Sequence, residues 1–474
     1  MITLALLMAT ATGARANDIK LPLLGDSTSG VVSHKQEYDV GRAWLQIFRS
    51  RVSTLDDPLL QSYLEDLLVN LAAHSELVNP RLALVTINNP TMNAFAVPGG
   101  IIGVHTGLFL FAENEGQLAS VLAHELAHLS QRHFARGVAN QRANSITSMA
   151  GLLAGVILAA TVGGDAGMAA MTASQAAAMD NTLRFSRQNE QEADRLGIET
   201  LHRADMDPAA VADMFDRMLA ATRYTGQRPP EFLLTHPLTE QRVADARSRL
   251  GKYPKKYRED NIEYHLMRAR ALIAIDGDVQ RSFKRFQSEL DGHSVSRVAA
   301  RYGLALTLSA LNRHDEARSA LAPLLAEDPQ RLAYQLAAVT IDRTEGKYQA
   351  ALDRIASISP RYTDNYPLQR EFAETLLQAK RYGESERALE KLSRQRPADP
   401  DVWYQLAETS GLAGNISGVH IARAEYFILT GIYDKARQQL TYAQKLVQRD
   451  FKQSAVVSQR LRDLENMEAR AKGL

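Results

Sequence analysis

Apolar residues recur at helical spacing from Glu37 to Val52 and again from Asp57 to Ala73, and the pattern then shortens to strand-like runs. Asp57-Pro58 supplies a cap and a first-turn proline for the second helix. Leu82 to Ile87 reads as a strand closed by the turn-forming Asn88-Asn89-Pro90. Asn93 to Val97 leads into Pro98-Gly99-Gly100 and Ile101 to His105 leads out, which predicts a hairpin. Helical periodicity returns after Asn114, with Leu118, Val121, Leu122, Leu126 and Leu129 on one stripe. Asn114 with Gln117 three positions on reads as its N-terminal cap.

Past Gly137 the pattern weakens. From Ala143 to Met179 Asp165 is the only charged residue, and the length would suffice to span a membrane. Ile146, Met149, Leu153, Val156 and Ala160 form a stripe, however, and Gly163-Gly164-Asp165 interrupts it, so two weak helices near a cleft are expected. A mobile cover, or a peripheral contact of 143–179 with lipid or a client, is compatible with the same composition.

Beyond Leu250 the helices come in pairs. Ala317, Ala351 and Ser385 recur at a period of 34, Leu321, Ile355 and Leu389 keep one offset from them, and Pro329, Pro360 and Pro397 follow the second helices. Ala436, between Tyr433 and Leu440, lies one and a half periods on, which predicts an interruption or an unpaired helix. The spacing resembles tetratricopeptide repeats, whose helix pairs bury their faces only by stacking. Tyr362, Tyr366, Trp403 and Tyr426 are available to line the concave face of such a solenoid.

The chemistry concentrates in the helix after Asn114. His124 and His128 are four apart, so both imidazoles leave one helical face at the spacing of two zinc ligands, and Glu125 beside them is placed to act as general base. A third ligand is needed. His133 lacks the glycine and the spacing of the extended three-histidine motif, whereas Glu190 and Asp194 share a helical face. Glu190 is the better candidate ligand, with Asp194 accepting the outer ring N–H of a ligating histidine and Glu192 pointing elsewhere. Asn93-Ala94-Phe95-Ala96 could be an edge that pairs with an extended substrate backbone, or part of a plain structural hairpin.

His124-Glu125-x-x-His128, followed by Glu190-x-Glu192-Ala193-Asp194 with Ser186-Arg187 just before it, resembles the M48 family of zinc metalloproteases over about residues 35 to 250. The resemblance assigns zinc to His124, His128 and Glu190 and catalysis to Glu125. It also draws in His236-Pro237 with Arg242 six residues on. His236 with Arg242 either stabilises the oxyanion of the tetrahedral intermediate or, in the case of His236, closes the resting site as a fourth ligand.

Composition adds limits. With 45% hydrophobic and 23% charged residues the 474-residue chain has ample material for two or more globular units, and a net charge of +1 gives no reason to expect nucleic acid as a partner. The absence of cysteine removes thiolate ligands and disulfides. The apolar Ile2 to Thr12 and Ala14-Arg15-Ala16 before Asn17 read as a signal peptide over 1–16, although no basic residue precedes the apolar run.

The expected fold is mainly α: an α+β protease domain over 17–250 with a small sheet and the zinc helix, then an α-helical solenoid over 251–474. This combination resembles the periplasmic members of the family that act in outer-membrane quality control. It implies a zinc endopeptidase that degrades misfolded outer-membrane β-barrel proteins and assists their assembly, with the repeats holding clients or the assembly machinery. A chaperone or adaptor working through the repeats, with latent proteolysis, is the competing expectation.

Overall fold

The computed structural model describes residues 32–78, 81–140, 187–225, 230–254, 256, 260–292 and 294–472. The expected leader (1–16) and the segment 143–179 lie outside the described residues. No described helix is long and apolar enough to cross a membrane.

Two helices open the described chain, α1 (His34–Arg51) and α2 (Pro58–His74). Ser33 and Gln36 close a capping box on the first, and the Asp57 side chain accepts from the Leu60 N–H to start the second. Three strands follow, β1 (Ala83–Ile87), β2 (Ala94–Val97) and β3 (Ile101–His105). The expected hairpin is the antiparallel β2–β3 pair, but β1 pairs with β3 in parallel, giving the order β1-β3-β2. Strand β2 is therefore an edge. Gly99 and Gly100 turn the hairpin at φ of 85° and 80°, where a side chain would be strained.

The N-terminal half continues through α3 (Leu108–Phe111), α4 (Glu115–Ser130), α5 (His133–Asn140), α6 (Arg187–Arg203), α7 (Ala210–Thr225), α8 (Glu231–Thr235) and α9 (Glu240–Leu250). Leu60, Leu64 and Leu71 of α2, Ile102 and Val104 of β3, and Leu118, Leu122 and Leu126 of α4 share one buried core. That core does not stop at 250. It runs on into α10 (Ile262–Asp276) through Tyr264, Leu266 and Met267, and the Tyr264 hydroxyl donates to the Ala112 carbonyl at 2.7 Å. The next helix is α11 (Val279–Asp291).

The solenoid proper is built of α12 (Arg297–Ala310), α13 (His314–Glu327), α14 (Leu332–Thr344), α15 (Tyr348–Ile358), α16 (Tyr366–Gln378), α17 (Tyr382–Gln395), α18 (Pro400–Leu412) and α19 (Ile416–Leu429). The second helices of the pairs start at His314, Tyr348, Tyr382 and Ile416, a step of 34 each time. Ala317, Ala351 and Ser385 are fully buried where those helices meet their partners.

Two more helices, α20 (Tyr433–Leu446) and α21 (Phe451–Lys472), end the array. The half period arises because α20 begins 17 residues after α19 and packs on it as α19 packs on α18, so one helix serves two neighbours.

The solenoid packs against the N-terminal half. Arg370 donates to Asp56 at 2.7 Å, Arg396 to Glu65 at 2.5 Å, and Gln46 reaches the Ile428 carbonyl at 3.1 Å. Of the aromatic residues offered for a concave face, Tyr362 donates to the Gln330 carbonyl, Tyr366 is buried and donates to Asp399, and the Trp403 indole donates to the Pro397 carbonyl. Those three fasten the array internally, and Tyr426 lies tilted against Tyr404 at 5.5 Å.

A candidate metal centre

Helix α4 starts where Asn114 accepts from the Gln117 N–H and Gln117 reaches back to the Glu113 N–H. Residues 117 to 128 are all buried, so the two histidines sit at the inner end of a helix enclosed on every side. Their Nε2 atoms face each other at 3.0 Å.

Helix α6 brings the third group. Gly197 faces the His124 backbone, where a Cβ would lie 3.3 Å from the His124 nitrogen, so the absence of a side chain lets α6 approach α4 closely. Glu190 of α6, 1% exposed, places Oε2 3.5 Å from His124 Nε2 and Oε1 3.4 Å from His128 Nε2. His236, the residue closing α8, adds Nδ1 at 3.0 Å from Glu190 Oε1 and 3.4 Å from His124 Nε2. One ligand-type atom from each of His124, His128, Glu190 and His236 falls within 4.8 Å of the others, and all four residues are buried.

Both helix histidines are held from behind. The Nδ1–H of His124 donates to Asp194 Oδ1 at 3.0 Å, and Arg242 grips Asp194 through Nε and Nη2, each at 2.7 Å. On the other side His128 Nδ1 lies 2.9 Å from His133 Nδ1, and His133 Nε2 lies 3.0 Å from Glu192 Oε2. The proton order that satisfies this chain is His128 Nδ1–H to His133, then His133 Nε2–H to the carboxylate. In both cases the Nε2 lone pair points inward. Two imidazole lone pairs and a carboxylate aimed at one another in a buried space repel unless a cation lies among them, so this donor set fits a divalent metal ion.

The carboxylates make the cluster a field that favours positive charge, as proton or as metal. Burial opposes a charged His124, but hydrogen bonds to Asp194 and Glu190 carry its pKa up to about 9. Burial holds the His128 pKa well below the ordinary imidazole value. Glu190 is also buried, yet His236, His124 and His128 around it pull its carboxyl well below the usual range. Glu125 differs. Burial pushes its carboxyl up, against the pull of His236, His124 and the Ala96 backbone N–H. Its nearest cationic-capable neighbour is His236 Nε2 at 3.5 Å.

Arg242 reaches the cluster from behind Asp194. It is 4% exposed and turned inward, with Nη1 2.8 Å from the Pro237 carbonyl and 2.7 Å from Glu190 Oε2 in addition to its grip on Asp194. Its three nitrogens thus engage Asp194, Glu190 and the Pro237 carbonyl. His133 and Glu192 were not expected to matter, and the i, i+5 and i, i+2 offsets from His128 and Glu190 carry no standard ligand signal.

The substrate-strand candidates sit beside this cluster. Ala94 and Ala96 turn toward the core that contains α4, whereas the Phe95 ring packs on Trp44 at 5.9 Å and Phe48 at 6.0 Å on the opposite face. Asn93 is buried, and its carbonyl accepts from the His105 N–H at 3.0 Å. A cavity of about 540 Å³, lined in part by Ala96, Pro98, His128, Leu129 and Phe134, opens between the end of β2 and the metal-site helix.

Comparison with known proteins adds independent evidence. The sequence profile of peptidase family M48 matches residues 58–250, and a tetratricopeptide-repeat profile matches 343–408. The chain is 35% identical over 453 residues to the β-barrel assembly-enhancing protease of Escherichia coli strain K12, covering 95% of this chain and 92% of that one. It is 33% identical over 439 residues to a putative β-barrel assembly-enhancing protease of Vibrio cholerae, covering 92% and 90%. It is also 32% identical over 224 residues to the mitochondrial metalloendopeptidase OMA1 of Schizosaccharomyces pombe, covering 46% of this chain and 63% of that one. With a buried His-His-Glu-His cluster on its HExxH helix and this similarity along nearly its whole length, the chain belongs to the M48 family of metallopeptidases, among the members that carry tetratricopeptide repeats.

Proposed function

We propose that this chain is a periplasmic zinc endopeptidase that cleaves misfolded or stalled outer-membrane β-barrel proteins and assists their assembly. Its catalytic part lies within 17–250, and its repeats, within 251–474, hold clients or the assembly machinery. The observation that carries the reading is the inward-facing Nε2 pair of His124 and His128 closed by Glu190, with the buried Glu125 carboxylate next to it. Names borne by the relatives supply the client class, the similarity to bacterial β-barrel assembly proteases supports the compartment, and the M48 match supports the reaction.

In this reading His124, His128 and Glu190 hold zinc. When bound, the ion supplies Lewis acidity toward the scissile carbonyl and makes a nearby water acidic. Glu125 takes the proton of the attacking water and hands it to the leaving amine nitrogen, a task suited to a carboxylate whose pKa burial has raised. Asp194 and Arg242 fix the tautomer of His124, and His133 with Glu192 fix that of His128. The open edge of β2 at Asn93–Ala96 receives the substrate backbone as a further strand, which suits an unpaired β segment of a barrel protein. His236, with Nδ1 3.0 Å from Glu190, takes the fourth position in the resting state.

Cleavage of an unfolded outer-membrane protein by zinc-loaded wild type, Glu125→Gln and His236→Ala, with zinc measured on the same samples, tests this. Chelator-sensitive cleavage lost in Glu125→Gln and increased in His236→Ala is expected. Bound zinc with no cleavage by any of the three would move the function to binding by the repeats.

A further inference from the structure

His236 is carried by a helix of five residues, α8, so its position depends on what anchors the start of that helix. Among the described residues two bonds do, and both come from the segment leading into β2. The Thr91 hydroxyl donates to Glu231 Oε2 at 2.6 Å, and the Phe232 N–H donates to the Met92 carbonyl at 3.1 Å. Thr91 Oγ1 also lies 2.9 Å from Nδ1 of His105, which is fully buried at the end of β3. A hydroxyl has one proton, and it goes to Glu231, so His105 supplies the Nδ1–H and Thr91 accepts it. Burial holds the His105 pKa down to about 4, which keeps the ring neutral, and its Nε2 accepts nothing among the described residues. The relay His105 to Thr91 to Glu231 thus runs from the sheet to the first residue of α8.

From there the link to the metal cluster is short. The Phe232 ring stacks on His236 with centroids 4.5 Å apart, the His236 N–H donates to the Phe232 carbonyl at 2.9 Å, and Phe232 is 3% exposed. At the other end, Thr91 lies two residues before Asn93, the first residue of the proposed substrate strand. We infer that Thr91 and Glu231 are positioning residues that hold His236 against the metal ligands, and that a substrate strand docking on β2 displaces His236 through this tie. The inference rests on the reading of His236 as the resting fourth ligand. It adds the coupling to the substrate strand and the residues that provide it.

The experiment uses the full-length zinc-loaded chain as wild type, Thr91→Val, Thr91→Ser, His236→Ala and the Thr91→Val/His236→Ala double variant. Two quantities are measured: the rate of zinc transfer to a chromophoric chelator, and turnover of an unfolded polypeptide. Valine keeps the shape of threonine and removes the hydroxyl. In the presence of His236, Thr91→Val should speed zinc transfer and raise turnover by about fivefold, the factor one hydrogen bond of about 1 kcal/mol supplies. In the His236→Ala background it should change neither, and Thr91→Ser should keep the wild-type values. An equal change in both backgrounds, or none in the wild type, overturns the tie. Absence of cleavage by all five proteins, with zinc transfer still governed by Thr91 only when His236 is present, supports the tie and strikes the peptidase reading instead.

Discussion

Arg242 grips both carboxylate oxygens of Asp194, Nε to Oδ2 and Nη2 to Oδ1, each at 2.7 Å, and Asp194 in turn holds the outer nitrogen of His124. The planar fork of the guanidinium fixes the carboxylate plane, and the carboxylate fixes the imidazole. A lysine would keep the charge and lose the fork. Arg242→Lys is therefore expected to weaken zinc binding about 10- to 100-fold without unfolding the chain. Competition with a chelator of known affinity measures this, and an unchanged zinc dissociation constant would remove Arg242 from the support of the site.

Gly41 lies inside α1, where glycine costs up to about 1 kcal/mol relative to alanine. The compensation is packing: a Cβ on Gly41 would overlap the carbonyl oxygen of Pro98 in the β2–β3 turn. Gly41→Ala should thus destabilise the protein by about 1–3 kcal/mol despite its better helix propensity. Because the displaced group is backbone at the end of β2, peptide cleavage should fall more than the fraction of folded protein does. Thermal melts beside initial rates at a temperature where both proteins are folded decide the matter; a variant as stable as wild type would show that the turn gives way easily.

Gly41 also marks where sequence reasoning reaches its limit. The meeting of His124 with His128, and the shared face of Glu190 and Asp194, were legible because residues four apart lie on one side of a helix, and the repeat was legible because stacking imposes 34 residues on each unit. The partnership of His133 with Glu192 was not, since it joins two helices about sixty positions apart. The parallel pairing of β1 with β3 was equally hidden. A hairpin leaves a turn signal, whereas a non-local pairing leaves none, and that pairing is what makes β2 the edge. His236 entered through resemblance alone, and the grip of Arg242 on Asp194 joins two helices at a separation that no spacing discloses.

The division of the chain at 250 is similarly a matter of grammar more than of mechanics. Helix α10 donates Arg268 to the Phe109 carbonyl, Tyr264 to the Ala112 carbonyl and Arg270 to Asp57, all across that boundary. A fragment ending at 250 would lose the stacking of Tyr264 on Phe109 and the Arg270–Asp57 pair, whereas one ending at Gly277 keeps both. The shorter fragment is expected to aggregate or to melt several degrees below the longer one, since a kilocalorie per mole shifts a midpoint by about 2–4 °C at this size. Size-exclusion profiles and melts of the two fragments test it. Equal behaviour would mean that α10 belongs to the solenoid alone.

Asp401 stands at the contact between the two halves, near Asp56 and Asp399, with Arg370 and Arg49 opposing them. Burial pushes its carboxyl up to about 6, and the neighbouring Asp56 and Asp399 add to the rise. Between the ordinary carboxylate range and that value the folded chain holds a proton that the unfolded chain releases. The contribution of Asp401 to stability is therefore fully present below about pH 4 and is lost as pH rises through 6. Asp401→Asn removes the charge that causes the loss. At pH 7.5 the variant should be more stable than wild type by about 1 kcal/mol, well under the full conversion of the shift because part of the group meets solvent. At pH 4.5 the two should melt nearly together. Hydrogen exchange over residues 49–57 and 398–402 locates the effect: slower exchange in the variant at the higher pH would place the gain at the contact between catalytic half and solenoid, while a uniform shift across the chain would argue that Asp401 acts on the fold as a whole.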